Sequence, residues 1–230
     1  MYYVLFFLVF CVIIREMQRV IKIAKLRNEF IQGKNIEVSG IVIRSLFAEF
    51  VKRLFDVFFS FIVCLTILPF LYLVFGVVIK LTSPGPIIFR QKRVGFLGQM
   101  FDCYKFRSMY LDAGEKVAIK GDERVTPIGR FLRKTHIDEF PQFFNVLIGD
   151  MSIVGPRPTI CSVVNELQKH PHYLYRVLLL PGITGVSQIH GKQEDQMKMF
   201  KFDLEYIHSQ SFLGDLKIIF KTLKFRDESY

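Results

Sequence analysis

The run "VFFSFIVCLTILPFLYLVFGVVI", residues 57 to 79, carries no charged side chain. As an α-helix it reaches roughly 35 Å, enough for a bilayer core of roughly 30 Å. Pro69 lies near its middle. Proline removes a backbone donor and crowds the preceding turn, so a bend is predicted there. Thr66 can return a hydroxyl bond to a nearby carbonyl. Lys52 and Arg53 precede the run, and Lys80, Arg90, Lys92 and Arg93 follow it. A straight span is expected to show unequal charge at its two ends. Length favours a span. The basic residues at both ends favour a re-entrant helix that bends at Pro69 and returns to the cytoplasmic face.

Outward from this run, "MYYVLFFLVFCVII" opens the chain and reads as a membrane-anchoring helix. At roughly 21 Å it is short for a span, and it shows no secretory cleavage pattern. Arg15, Arg19, Lys22, Lys25 and Arg27 follow, around an apolar stripe of Met17, Val20, Ile21 and Ala24. Their charge predicts a cytoplasmic position. "QGKNIEVSG" reads as a break. A second amphipathic helix begins near Ile43, with Leu46, Phe47, Phe50, Val51, Leu54 and Phe58 opposite Arg44, Glu49, Lys52 and Arg53.

"TSPGP" ends the apolar helix, and "IIFRQKR" and "MFDCYKFRS" read as strands joined across Gly95 and Gly98. Residues 111 to 124 read as a polar loop. "TPIGRFLRKT" and "IDEFPQFFNVLIG" read as helical, with Gly149 as a C-terminal stop. "DLKIIFKTLKFR" sets Leu216, Phe220 and Leu223 against Lys217, Lys221, Lys224 and Arg226, a pattern suited to a membrane surface. The predicted fold is mostly α with a small β-hairpin (α+β). It has three parts: an anchoring basic helix over 1–40, an amphipathic helix and a re-entrant membrane helix over 41–82, and a cytosolic catalytic domain over 83–230.

The net charge is +10, and 51% of residues are hydrophobic, with 25 Phe and no Trp. Such charge suits nucleic acid, an anionic membrane or a phosphorylated substrate. The apolar excess selects the membrane. No recognised nucleic-acid motif is present. Cys11, Cys64, Cys103 and Cys161 form no CxxC pair, which speaks against zinc and disulfides.

"KTHIDEFPQ", residues 134 to 142, sets Asp138 beside Glu139 in this basic chain. Adjacent carboxylates raise each other's pKa unless a cation lies close. Thr135 and Asp138 have capping-box spacing, which would place both acids in a helical first turn. A capped surface helix is the bland explanation. Lys105, Arg107, Arg130, Arg133 and Arg157 come from separate segments that can converge on the pair. Carboxylate, Mg²⁺ and Arg together are expected equipment for moving a phosphoryl group. A lipid-binding scaffold explains the charge and the stripes, but gives no reason for the paired acids or for the "VGPRP" turn.

"GRFLRKTHIDEFPQFFNVLIGDMSIVGPRP" closely resembles the core motif of the bacterial sugar transferases, the monotopic phosphoglycosyl transferases. "IIFRQKRVG", "CYKFRSM" and "PGITGVSQIHGK" also resemble family segments, so the likeness runs from about residue 50 to about residue 224. The resemblance implies transfer of a phosphosugar from a UDP-sugar to a polyprenyl (undecaprenyl) phosphate, with release of UMP. It implies Asp138 as nucleophile and metal contact, Glu139 as its partner, and Mg²⁺ as cofactor. Lys105, Arg107, Arg133, Arg157, Pro158 and Gln188 fall on the substrate- and phosphate-binding segments. It also implies the bacterial inner membrane, a cytoplasmic catalytic face and downstream glycosyltransferases as partners, and it is compatible with a homo-oligomer. The chain departs from the family pattern at Leu68-Pro69, where Ser-Pro is usual, and at His136, Ile137, Val186 and Lys192.

Overall fold

The computed structural model describes residues 2–37, 41–111, 121–170, 172–190 and 196–224. Most of the loop read over 111–124, the departure at Lys192, and Arg226 of the basic tail lie outside these.

Helix α1 spans Tyr2–Gly33. It docks through buried ion pairs as well as through part of the apolar stripe seen in the sequence. Met17 and Ile21 are exposed, while Glu16, Val20 and Arg27 are buried. Arg53 donates to Glu16 at 2.7 Å, and Arg27 pairs with Glu49 at 2.6 Å. Breaking one such buried pair from one side costs about 3–5 kcal/mol.

Helix α2 (Leu46–Ile62) and helix α3 (Leu68–Thr82) form one continuous helix through a π-turn at Val63–Ile67. Among the described residues it is the one helix long and apolar enough to cross a membrane. Phe58, Phe61, Leu65, Phe70 and Leu73 are exposed along it, as a lipid-facing surface requires. Ser45 caps its start by accepting from Ala48 N. The break expected at Pro69 is not a break in the helix. The irregularity lies just before it, in the π-turn, where Leu68 N bonds to Val63 O. Such turns and prolines are the usual places for a helix to bend. Thr66 Oγ1 donates to Ile62 O at 2.7 Å, as expected of a hydroxyl at this place.

Both ends of this long helix are fastened to one body. At the start, Arg53 donates to Val146 O (2.8 Å) and Leu147 O (3.2 Å) on helix α5 (Gln142–Ile148). At the end, Arg107 donates to Ser83 O (2.7 Å) and Ile79 O (3.3 Å). Arg107 follows strand β2 (Met100–Phe106), and Asn145 joins β2 to α5 by accepting from Tyr104 N and donating to Asp102 O.

Strand β1 (Ile88–Val94) pairs antiparallel with β2, Ile88 opposite Phe106 and Val94 opposite Met100. This is the expected hairpin. A short strand β4 (Thr159–Ile160) extends it, and β3 (Ser152–Val154) pairs in parallel with β5 (Gly182–Thr184). These short strands lie below the length at which alternation is readable. The main core gathers Cys103, Val146, Met151, Ile153, Val154, Ile189, Tyr206 and Ile218. Helix α10 (Phe212–Lys224) turns Ile218 inward and leaves Leu213, Phe220 and Leu223 exposed beside its lysines.

Candidate active site

Helix α4 (Pro127–Lys134) opens at Thr126, whose hydroxyl accepts from Gly129 N at 3.0 Å. It closes at Thr135, whose hydroxyl donates back to Phe131 O (2.8 Å) and Leu132 O (3.2 Å). The capping box expected from Thr135 to Asp138 is therefore not formed, because that hydroxyl terminates one helix instead of starting the next. His136 takes a left-handed conformation (φ 55°) and turns the chain into a single 3-10 turn, Ile137–Glu139. Such a φ is uncommon for a residue with a Cβ. The helix read over 137–149 begins only at Gln142 and ends at Gly149 (φ 88°), the expected stop. The dyad thus sits at a bend between helices, and its field comes mainly from neighbouring side chains.

Lys105 supplies the nearest cation. Its Nζ lies 2.6 Å from Glu139 Oε1, and Arg157 Nη2 lies 3.8 Å from the same oxygen. Burial alone would raise the Glu139 pKa, but Lys105 and then Arg157 outweigh it and hold the carboxyl well below the usual carboxylate range. Asp138 is 6% exposed. Its pKa is raised to about 6 overall: burial pushes it up most, Lys105 pulls it down, the Glu139 charge pushes it up, and Arg133 and His136 pull it down. The two acids are thereby separated: Glu139 is fixed as an anion in an ion pair, and Asp138 is poised near neutrality.

The Arg157 turn is built by contact between two distant motifs. Gly155 N donates to Thr184 O (3.0 Å), and Gly182 N donates to Pro156 O (2.8 Å). A Cβ on Gly155 or on Gly182 would run into the backbone of the other, so both positions require glycine. "VGPRP" and "PGITG" are one unit in space. Arg93 completes it, donating from Nη1 to Pro158 O at 2.8 Å. Burial lowers the Arg93 pKa to about 10, still cationic at neutral pH.

The structure brings together Asp138, Glu139, Lys105, Arg157 and Pro158. A small cavity lined by Lys105, Glu139, Gln142, Arg157 and Pro158 opens at this place, with Arg93 and Cys103 in its wall. Arg133 donates from Nε to Ser108 Oγ at 2.8 Å and acts on Asp138 through space. Three expected contacts fall elsewhere. Arg107 closes the end of the long apolar helix, as described above, instead of facing the dyad. Arg130 is exposed on α4. Gln188, on helix α8 (Val186–His190), accepts from Ser187 Oγ and donates to Ile183 O at 3.4 Å, which braces β5. Sequence reading missed Arg93 and Gln142. Hairpin alternation carried a signal for the first: Arg93 is opposite Phe101, so it shares a face with Cys103 and Lys105.

Among the described residues no three His, Cys, Asp or Glu side chains gather as a metal cage. Mg²⁺ does not need one, since it is commonly held by one or two carboxylates plus substrate phosphates and waters. Asp138 and Glu139 supply that donor set, and the ion pairs on Oε1 leave Glu139 Oε2 and Asp138 as the available oxygens. The residues present fit the ion.

A β-hairpin, one long apolar helix carrying a π-turn, and a buried Asp138 beside a partly buried Glu139 that faces Lys105 and Arg157 characterise this chain. The chain belongs to the bacterial sugar transferase family, whose model matches residues 47–226. It is 41% identical over 210 residues to the UDP-glucose:undecaprenyl-phosphate glucose-1-phosphate transferase of Klebsiella pneumoniae, a match covering 84% of this chain and 45% of that protein. It is 40% identical to the UDP-N-acetylgalactosamine-undecaprenyl-phosphate N-acetylgalactosaminephosphotransferase of Aeromonas hydrophila, covering 80% of this chain and 45% of that one. It is 39% identical to the exopolysaccharide production protein PSS of Rhizobium leguminosarum bv. phaseoli, covering 75% of this chain and 92% of that one. The chain thus spans a little under half the length of the first two and nearly all of the third.

Proposed function

We propose that this protein transfers a phosphosugar from a UDP-sugar to polyprenyl phosphate and so begins a surface polysaccharide or glycoconjugate. The observation that carries this reading is the divided dyad, with Asp138 buried and poised beside Glu139, which Lys105 and Arg157 hold anionic. In the first step an Asp138 oxygen attacks the sugar-proximal phosphorus. The bond from that phosphorus to the bridging oxygen breaks, and UMP leaves. In the second step a polyprenyl-phosphate oxygen attacks the same phosphorus and returns the Asp138 carboxylate. Splitting one displacement into two easier ones is what a carboxylate nucleophile offers. Arg157 and Lys105 lie where charge on the transferred group needs compensation, and Arg133 keeps Asp138 ionisable. Mg²⁺, when bound by Asp138 and Glu139, would neutralise charge on the diphosphate. The names of the relatives support the two substrates. Downstream glycosyltransferases would consume the lipid-linked sugar. Purified protein given polyprenyl phosphate and a panel of UDP-sugars should release UMP with at least one of them, and release with none would reject the reading.

The same reading places the catalytic domain on the cytoplasmic face of the inner membrane, where UDP-sugars are present, with α2–α3 re-entrant. The support is the fastening of Arg53 and of Ser83 to one domain. Single Cys probes at positions 52 and 80, in a Cys-free background, are expected to resist an impermeant thiol reagent in intact cells. Both should react once the inner membrane is opened. Labelling of position 52 alone in intact cells would instead establish a span.

A further inference from the structure

Arg157 lies between two prolines, and its backbone is held at both ends by side chains from outside its turn. Its N–H donates to Asp203 Oδ1 at 3.3 Å, and its carbonyl accepts from Arg176 Nη2 at 2.7 Å. Arg176 also pairs with Asp203 Oδ2 at 2.7 Å. Asp203, on helix α9 (Gln196–Ser209), is fully buried, and Arg176, on helix α7 (Tyr173–Val177), is 6% exposed. The Arg176 guanidinium lies 5.9 Å from the buried Phe200 ring, which fixes it from another side. One ion pair thus grips both polar groups of a single peptide residue. That residue's side chain then reaches Glu139.

We infer that Asp203 and Arg176 are positioning residues for the transfer, acting through Arg157. The sequence hides this role, because Asp203 follows Arg157 by a long interval and lies in an otherwise ordinary amphipathic helix. The physical reason is preorganisation. A fork that must meet phosphate oxygens works only from a fixed backbone, and a displacement of about 1 Å can cost about a hundredfold in rate. Buried Asp203 makes the turn rigid without touching the substrate.

The inference rests on the transfer reaction proposed above, and two readouts keep the fates of the two readings apart. The first needs no activity. In the 155–158 turn only Gly155 and Arg157 have amide hydrogens, since the other two residues are prolines. Hydrogen exchange in the full-length protein should therefore show faster exchange of the Arg157 amide in Asp203→Ala, with the Gly155 amide, bonded to Thr184 O, little changed. The second is a double-mutant cycle on kcat/KM for UMP release. Asp203→Ala and Arg157→Ala should each lose about a hundredfold, and the double variant should lose about the same, not about ten-thousandfold. Asp203→Asn keeps an acceptor for the Arg157 N–H and should recover part of the loss. If Asp203→Ala does not fold, Arg176→Lys is used in its place, with the same cycle expected. Additive losses, or an unchanged Arg157 amide, would overturn the inference while leaving the transfer reaction standing. Absence of UMP release by the wild type would reject the transfer reaction itself.

Discussion

Asp138→Asn is expected to abolish UMP release, by at least about 10⁴-fold, while the protein stays folded and membrane-bound. The amide keeps the shape of the carboxyl but cannot form the acyl-phosphate linkage by attack on phosphorus, and loss of a nucleophile is among the largest single losses an enzyme shows. Folding is not expected to suffer. Asp138 is buried beside another acid, and burial with the Glu139 charge disfavours its ionised form. Replacing it by a neutral group removes a desolvation cost and a like-charge repulsion. The comparison is made by steady-state UMP release and by thermal melting on the same preparation. Turnover above about one-hundredth of the wild type, in a variant that melts normally, would contradict the assignment.

Lys105→Met is the second large effect, expected at about 10²–10³-fold in kcat/KM near pH 7. The substitution keeps much of the apolar stem and removes the charge 2.6 Å from Glu139. Arg157, at 3.8 Å, is then left to balance a partly buried carboxylate. The pH profile supplies the sharper check. Wild-type kcat/KM should fall about tenfold per pH unit below an apparent pKa of about 6, because the ionised Asp138 is the reactive form. The limb belongs to the coupled pair rather than to either acid alone. Lys105 is the largest influence holding the Asp138 pKa down, so its removal raises that pKa. A larger fraction of Asp138 is then protonated at any given pH, and the acid limb must move to higher pH. A limb that stays in place would show that Lys105 does not govern the dyad.

Much of this was legible in the sequence where one segment carries the whole signal. The uncharged run over 57–79 is sufficient to mark the long apolar helix, and alternation across Gly95 and Gly98 is sufficient to mark the hairpin. The Asp138-Glu139 pair, Gly149 and the Gly-Pro-Arg-Pro turn could be read in the same way. What could not be read depends on partners from distant segments. Glu16 and Arg27 look like solvated charges of a helix face until Arg53 and Glu49 come to meet them. Thr135 fits two local roles equally well, opening a turn or closing α4, and only the backbone at His136 decides between them. Arg107 lies two residues after Lys105, so strand alternation would put both on the dyad face, but β2 ends at Phe106 and Arg107 turns instead to the end of the long apolar helix. The π-turn at Val63–Ile67 has no residue signature of its own. It arises next to Pro69 because the helix there must absorb a missing donor without losing its other bonds.

The most direct test of the central claim is the mass of the intact protein after incubation with a UDP-sugar that gives UMP release, in the absence of polyprenyl phosphate. A covalent step through Asp138 predicts a gain equal to one phosphosugar, mapped by fragmentation to Asp138. The gain should disappear on adding polyprenyl phosphate and should be absent in Asp138→Asn. A wild-type protein that turns over both substrates yet never gains that mass, or gains it on another residue, would contradict the account.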